Sequence, residues 1–116
     1  MRHRKGCPVA AMIEVLSGKW KVQILWHLSF QELRFSQLRK KLKTVSEKVL
    51  TDQLRQLEAD GVIARHSADS VPPAVTYSLN DQGKKLVALM EDLCDWGSAH
   101  FGIAPSLPRT VARAAG

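Results

Sequence analysis

Ser46-Glu47-Lys48-Val49-Leu50-Thr51-Asp52-Gln53-Leu54-Arg55-Gln56-Leu57-Glu58-Ala59-Asp60 reads as one amphipathic helix with two unlike faces. Leu50, Leu54 and Leu57 recur at i, i+4 and i+7, which stacks them along one side of a helix. Lys48, Asp52 and Arg55 fall roughly opposite, with Thr51 beside them. Ser46 suits the N-cap, where its hydroxyl accepts from free backbone N–H groups. Thr44 with Glu47 three residues later offers a rival capping box. Gly61 is a natural left-handed stop after the last turn. Taken alone, this pattern also fits a surface helix of any globular domain, so its neighbours decide the reading.

Upstream, Ser36-Gln37-Leu38-Arg39-Lys40-Lys41-Leu42-Lys43 starts another helix, with Ser36 as a candidate N-cap and Leu38 and Leu42 facing inward. Only Thr44 and Val45 separate it from the organising helix. Two helices joined by so short a turn cannot be collinear, so they form a helix-turn-helix whose second member presents its outer face. Downstream, Val62–His66 is strand-like, Ser67–Ala74 with Pro72-Pro73 is a loop, and Val75–Leu79 alternates with period two. Strand, loop and strand make a hairpin beside the basic helices.

The ends complete the order. Cys7-Pro8 opens a first helix, with Pro8 suited to its first turn and Val9, Met12, Ile13 and Leu16 forming a stripe that ends near Ser17-Gly18. Lys19-Trp20 begins a second, densely apolar helix in which Trp20 and Trp26 are read as core anchors. Phe30–Phe35 holds a turn and a short strand. Asn80 or Asp81 caps a last long helix with Leu86, Leu89, Met90, Leu93, Cys94 and Trp96 as its apolar set, fraying near Phe101. The expected fold is mainly α with a small β-hairpin wing (α+β): a winged helix-turn-helix over residues 7–101. A flexible basic segment (1–6) precedes it and a disordered tail (102–116) follows.

Charge and composition narrow the function. The chain has 116 residues and a net charge of +6, with 45% hydrophobic residues, which suits one domain with a real core. Residues 34–55 hold seven Lys and Arg against two acidic side chains, whereas residues 80–100 hold two against four. A basic patch on and before the organising helix suggests a polyanion partner, since neutralised phosphates release condensed counterions. No apolar run approaches the roughly 20 residues of a membrane span, and no h-region of a secretion signal follows the basic start. Two cysteines, Cys7 and Cys94, are too few for a disulfide framework or a four-cysteine zinc site, so a cytoplasmic protein without metal or cofactor is expected. His3, His27, His66 and His100 form no metal-spaced pair, and no phosphate loop or nucleophile elbow is present, so an enzyme is not expected. The remaining alternative is a winged helix that binds protein without specific DNA binding, which the basic 34–55 segment disfavours.

A helix in the major groove reads base edges with residues near its N-terminus. The candidate base-reading set is Ser46, Glu47, Lys48, Thr51, Asp52 and Arg55. Lys or Arg pairs with guanine, a carboxylate accepts from the cytosine amino group, and Thr offers a hydroxyl or a methyl. The candidate phosphate set is Lys19, Ser36, Gln37, Arg39, Lys40, Lys43 and Thr44, with Lys41 nearby. The wing contributes Arg65, His66, Ser67 and Ser70 more weakly.

In this order, Cys7-Pro8-Val9, Gly18-Lys19-Trp20, Arg34-Phe35-Ser36-Gln37-Leu38, Ser46-Glu47-Lys48-Val49-Leu50-Thr51, Leu54–Gly61, Val71-Pro72-Pro73, Tyr77-Ser78-Leu79, Gly83 and Trp96-Gly97 resemble the HxlR family of bacterial winged-helix transcription regulators, relatives of the MarR-type fold. Each motif is weak alone, but in register over residues 7–97 they are highly specific. The resemblance implies a repressor or activator that binds double-stranded DNA as a homodimer on an inverted repeat. It implies a dimer interface from the first and last helices, here Val9, Met12, Ile13, Leu86, Leu89, Met90, Leu93 and Trp96. It also implies that Cys7 is a candidate sensor of oxidants or electrophiles, with a small-molecule or oxidant effector; the alternative is an inert thiol. A helix N-terminus close to Arg4 and Lys5 independently favours the reactive thiolate. Cys94 is read as packing. One position departs from the family pattern: Ala74 follows the Pro-Pro pair where family wings often carry a basic residue, and Asp69 makes the wing tip acidic.

Overall fold

The computed structural model describes residues 6–105. Expectations for residues 1–5 and 106–116 lie outside the described residues. Among the described residues, five helices and three short strands follow in the order α1 (Pro8–Leu16), α2 (Lys21–Leu28), β1 (Leu33–Arg34), α3 (Phe35–Leu42), α4 (Glu47–Ala59), β2 (Ile63–Ala68), β3 (Ala74–Leu79) and α5 (Asp81–Phe101). This is a winged helix with a helix-turn-helix at its centre.

Leucines dominate the core. Ile24, Leu25 and Leu28 of α2, Leu38 and Leu42 of α3, and Leu50, Leu54 and Leu57 of α4 close on one another, joined by Val45, Leu33, Ile63, Leu79, Leu86, Val87 and Met90. The i, i+4, i+7 leucines of α4 all point inward, as their spacing demands. Val45, in the short link between α3 and α4, is also buried and pins the turn to the core. Trp20 and Trp26 pack against this core from half-buried positions.

The termini of α4 are built from its own sequence. Ser46 is the N-cap, and its Oγ accepts from the Val49 N–H at 3.1 Å; the rival box from Thr44 does not form. At the other end Gly61 has φ 76°, with Gly61 N–H donating to the Glu58 carbonyl and Val62 N–H to the Leu57 carbonyl. That pair of reversed bonds satisfies the last carbonyls and turns the chain into β2.

The sheet has the order β1-β3-β2, antiparallel throughout, with Leu33 opposite Tyr77 and Ile63 opposite Leu79 through to Ala68 opposite Ala74. The hairpin is longer than expected: β2 runs past His66 to Ala68 and β3 begins at Ala74, which shortens the loop to 69–73. The short strand before α3 joins the wing, a pairing that separates residues too far in sequence for periodicity to reveal.

Four expectations are corrected. The N-cap of α3 lies two residues earlier than read: it is Arg34, and Ser36 lies in the first turn. The Arg34 N–H donates to Gln37 Oε1 at 2.8 Å, so the N3 side chain reaches back to the cap residue as in a capping box. Helix α2 begins at Lys21, with Trp20 as its cap residue. Phe101 is not frayed: it is the last residue of α5, and Gly102 at φ 68° closes that helix by donating to the Ser98 carbonyl at 3.0 Å. Finally, Leu86 and Met90 are buried in the hydrophobic core and so are not on the exposed face of α5.

Candidate nucleic-acid interface

Helix α4 splits cleanly. Its inner face is the buried Leu50, Leu54 and Leu57; Glu47, Lys48, Asp52 and Arg55 are exposed, and Thr51 is half-buried between the faces. Because α4 is anchored through its leucines, the exposed side chains are held on a rigid element rather than on a loop.

The link between the two helices is tight. Leu42 closes α3, Lys43 adopts φ 61° and ψ −71°, and the Thr44 N–H donates to the Leu42 carbonyl at 2.7 Å. This three-residue γ-turn is an unusual conformation for a residue with a Cβ. It reverses the chain quickly enough that the end of α3 and the start of α4 share one cleft of about 400 Å³, lined by Phe35, Ser36, Arg39, Lys40, Lys43 and Glu47. Five of those six were singled out from sequence; Phe35, half-buried against the core, was not. Within the cleft Arg39 Nη1 lies 2.9 Å from Glu47 Oε1.

The other predicted residues divide. Lys41 sits on a different side of α3, facing His27: partial burial, and after it the Lys41 charge, hold the His27 imidazole below its ordinary pKa. Gln37 is exposed, but its side-chain oxygen is engaged at the α3 cap. Thr44 is exposed in the turn. Lys19 precedes α2, with its ammonium 4.8 Å from the centre of the Trp20 ring. A Cβ on adjacent Gly18 would sit 3.6 Å from Gln53 Oε1, so the loop before α2 abuts α4. That contact was not legible in sequence, because Gln53 and Gly18 meet only in the folded chain.

In the wing, Arg65, His66 and Ser67 are exposed. Successive residues of a strand face opposite ways, so Arg65 and Ser67 share the face of their partners Tyr77 and Val75, and His66 lies on the other. There His66 Nε2 is 3.1 Å from Ser78 Oγ. The Ser70 hydroxyl is committed to the wing tip: it donates to the Pro72 carbonyl at 2.7 Å and accepts from the Ala74 N–H at 3.1 Å.

At the far end, Cys7 is the N-cap residue of α1 and fully exposed. The Ala10 N–H, and then the Val9 N–H, hold its thiol below the ordinary cysteine pKa. Cys94 is half-buried on α5. Val9 and Ile13 of α1, about 60% exposed, and Leu89, Leu93 and Trp96 of α5, 50–61% exposed, leave an apolar surface on both terminal helices; Met12 is partly covered. Among the described residues no cluster of His, Cys, Asp and Glu could hold a metal ion, and no helix is long and apolar enough to cross a membrane.

This geometry matches known regulators. The HxlR-like helix-turn-helix family matches residues 15–104. The HTH-type transcriptional regulator YtcD of Bacillus subtilis is 46% identical over 93 residues, covering 80% of this chain and 74% of that one. A crystal structure of a ytcD regulator, 42% identical, superposes with a TM-score of 0.77 over 84% of this chain and 99% of that one. The redox regulator HypR in its oxidized form, 36% identical, superposes with a TM-score of 0.73 over 81% and 97%. With its helix-turn-helix, its wing and a family match over most of its length, the chain belongs to the HxlR family of helix-turn-helix transcription regulators.

Proposed function

We propose that the chain acts as a homodimer on an inverted-repeat operator, each protomer placing α4 in a major groove with α3 across the phosphate backbone. The observation that carries this reading is the exposed face of α4, where Lys48, Asp52 and Arg55 lie opposite three buried leucines and beside a cleft with three cations. Lys48 and Arg55 have the donors for guanine and Asp52 the acceptor for a cytosine amino group. Ser46 and Thr51 contribute from the edges of that face, and Lys19, Ser36, Lys40, Lys43 and Thr44 contact phosphate. Arg65 and Ser67 supply a secondary wing contact. The dimer forms through the apolar surface of α1 and α5, which a second copy would cover.

The test is a salt series of binding to the DNA upstream of the chain's own gene and to a scrambled duplex. Preference for the native fragment near physiological salt is expected; equal affinities that vanish together overturn the reading. Arg55→Ala lowers affinity for the preferred duplex by about 10–100-fold, matching the roughly 1–3 kcal/mol of one base contact. Its melting temperature stays near wild type, because an exposed substitution costs less than about 0.5 kcal/mol. A large fall in melting temperature would instead assign Arg55 to the fold.

A redox response is favoured by one further observation: Cys7 is fully exposed and its thiolate is stabilised by two backbone N–H groups. Oxidation at Cys7 then alters the set of α1 and, through it, the dimer. Hydrogen peroxide is expected to shift DNA affinity in wild type and to leave Cys7→Ser unmoved. Equal shifts in the two proteins remove Cys7 as the sensor.

A further inference from the structure

The Arg39–Glu47 pair bridges the two helices of the helix-turn-helix. It joins the last turn of α3 to the first residue of α4 across the cleft, with the two side chains 47% and 70% exposed. An exposed pair of this kind adds little to the stability of a fold. Glu47 is not needed to cap α4, since Ser46 already accepts from the Val49 N–H. Among the six residues lining the cleft, Arg39, Lys40 and Lys43 are cationic, Ser36 offers a hydroxyl, and Glu47 is the lone anion. A carboxylate on a guanidinium uses the same planar donors that a phosphate would use.

We infer that Glu47 is a specificity-determining residue: its carboxylate occupies Arg39 as a stand-in for a DNA phosphate, and leaves it when a base-edge amino donor in the groove takes the carboxylate. The inference rests on the DNA-reading role proposed above for α3 and α4. On unmatched DNA a phosphate entering the cleft meets a like charge with nowhere to go. Arg39 stays paired within the protein, and one backbone contact is withheld. On matched DNA a cytosine amino group at the start of α4 accepts the transfer, and Arg39 is freed for the backbone. Base reading and phosphate grip are thereby coupled, which suppresses binding to the many competing sequences.

The experiment compares wild type, Glu47→Gln, Arg39→Ala and the double variant. The probes are the duplex that wild type enriches from a randomised library and a scrambled duplex of the same composition, across a salt series, with each variant's melting temperature recorded. Glu47→Gln is expected to tighten binding to the scrambled duplex about fivefold near 0.15 M salt and to steepen its log–log salt slope by about 0.9, the signature of one more phosphate contact. Affinity for the enriched duplex does not rise with it, so the specificity ratio falls. In the Arg39→Ala background the same substitution changes scrambled-duplex affinity by less than about twofold, since the donor it would release is gone.

Three results overturn the inference: no gain on the scrambled duplex, an equal gain on both duplexes, or a gain that persists without Arg39, which would be a general charge effect. If wild type enriches no duplex, the DNA-reading role falls and takes this inference with it. If wild type discriminates and Glu47→Gln behaves like it, the inference alone falls.

Discussion

Gly83→Ala lowers the melting temperature by about 10–20 °C, corresponding to a loss of roughly 2–4 kcal/mol. An Ala in place of a helical Gly ordinarily stabilises by about 0.5–1 kcal/mol. Here the sign reverses, because a Cβ at Gly83 would lie 2.0 Å from the Val62 backbone carbonyl oxygen, which cannot swing away as a side chain could. The first turn of α5 must retreat from the chain between α4 and β2. That retreat strains the bonds holding the two together: Asn80 Nδ2 donating to the Gly61 carbonyl at 2.8 Å, and the Gly83 N–H donating to Asn80 Oδ1 at 2.9 Å. Losing such a cap adds about 0.5–2 kcal/mol to the cost of overpacking. Gly97→Ala is the control. It lies on the same helix with nothing within 4 Å of the added Cβ, so it is expected to hold or raise the melting temperature. Thermal melts at one fixed protein concentration decide, since any self-association would make the melting temperature depend on concentration. Equal shifts in the two variants would show that the close approach at Gly83 relaxes freely.

Leu54→Ala destabilises the protein by about 2–5 kcal/mol and abolishes duplex binding at temperatures where wild type binds. Leu54 is 1% exposed, at the middle of the leucine stripe that buries the inner face of α4 in the hydrophobic core. Truncation removes its apolar contacts and leaves a cavity under the helix that presents Lys48, Asp52 and Arg55. Against a typical total stability of about 5–15 kcal/mol, such a loss is a large share of what holds the domain. Denaturant unfolding measures the cost, and duplex binding well below the new melting point measures whether α4 keeps its place. Contrast with Arg55→Ala is instructive, because adjacent residues of one helix separate the two roles: one loses fold and binding together, the other binding alone. A Leu54→Ala protein with wild-type stability would mean that α4 is held by something other than its leucines.

Much of this was legible in the chain itself because it depends on short-range spacing. The two faces of α4, its Ser46 cap and its Gly61 stop are written within sixteen residues, and each appears where the spacing places it. The short link from Lys43 to Ser46 forces a helix-turn-helix whatever lies elsewhere. The basic cluster of 34–55 is a matter of composition, and the cleft inherits its charge from it.

Other features belong to the folded chain, for a common reason: they join residues that no local period connects. Strand β1 pairs with β3 across more than forty positions, so its place in the wing is invisible to alternation. Lys21 and Glu91, on helices α2 and α5 that pack together, are both buried, although charge alone marks such residues as surface. Leu86 and Met90 belong to the same helical stripe as Leu89 and Leu93, yet the first two enter the core and the others remain exposed. A sequence pattern states which side of a helix is apolar; how much of that side the rest of the chain covers is decided by tertiary packing. The sequence by itself therefore determined the helix-turn-helix, its basic face and the family. Only the tertiary structure decided that Glu47 rests on Arg39, that Gly83 touches Val62, and which apolar side chains remain exposed, because each depends on where two distant segments meet.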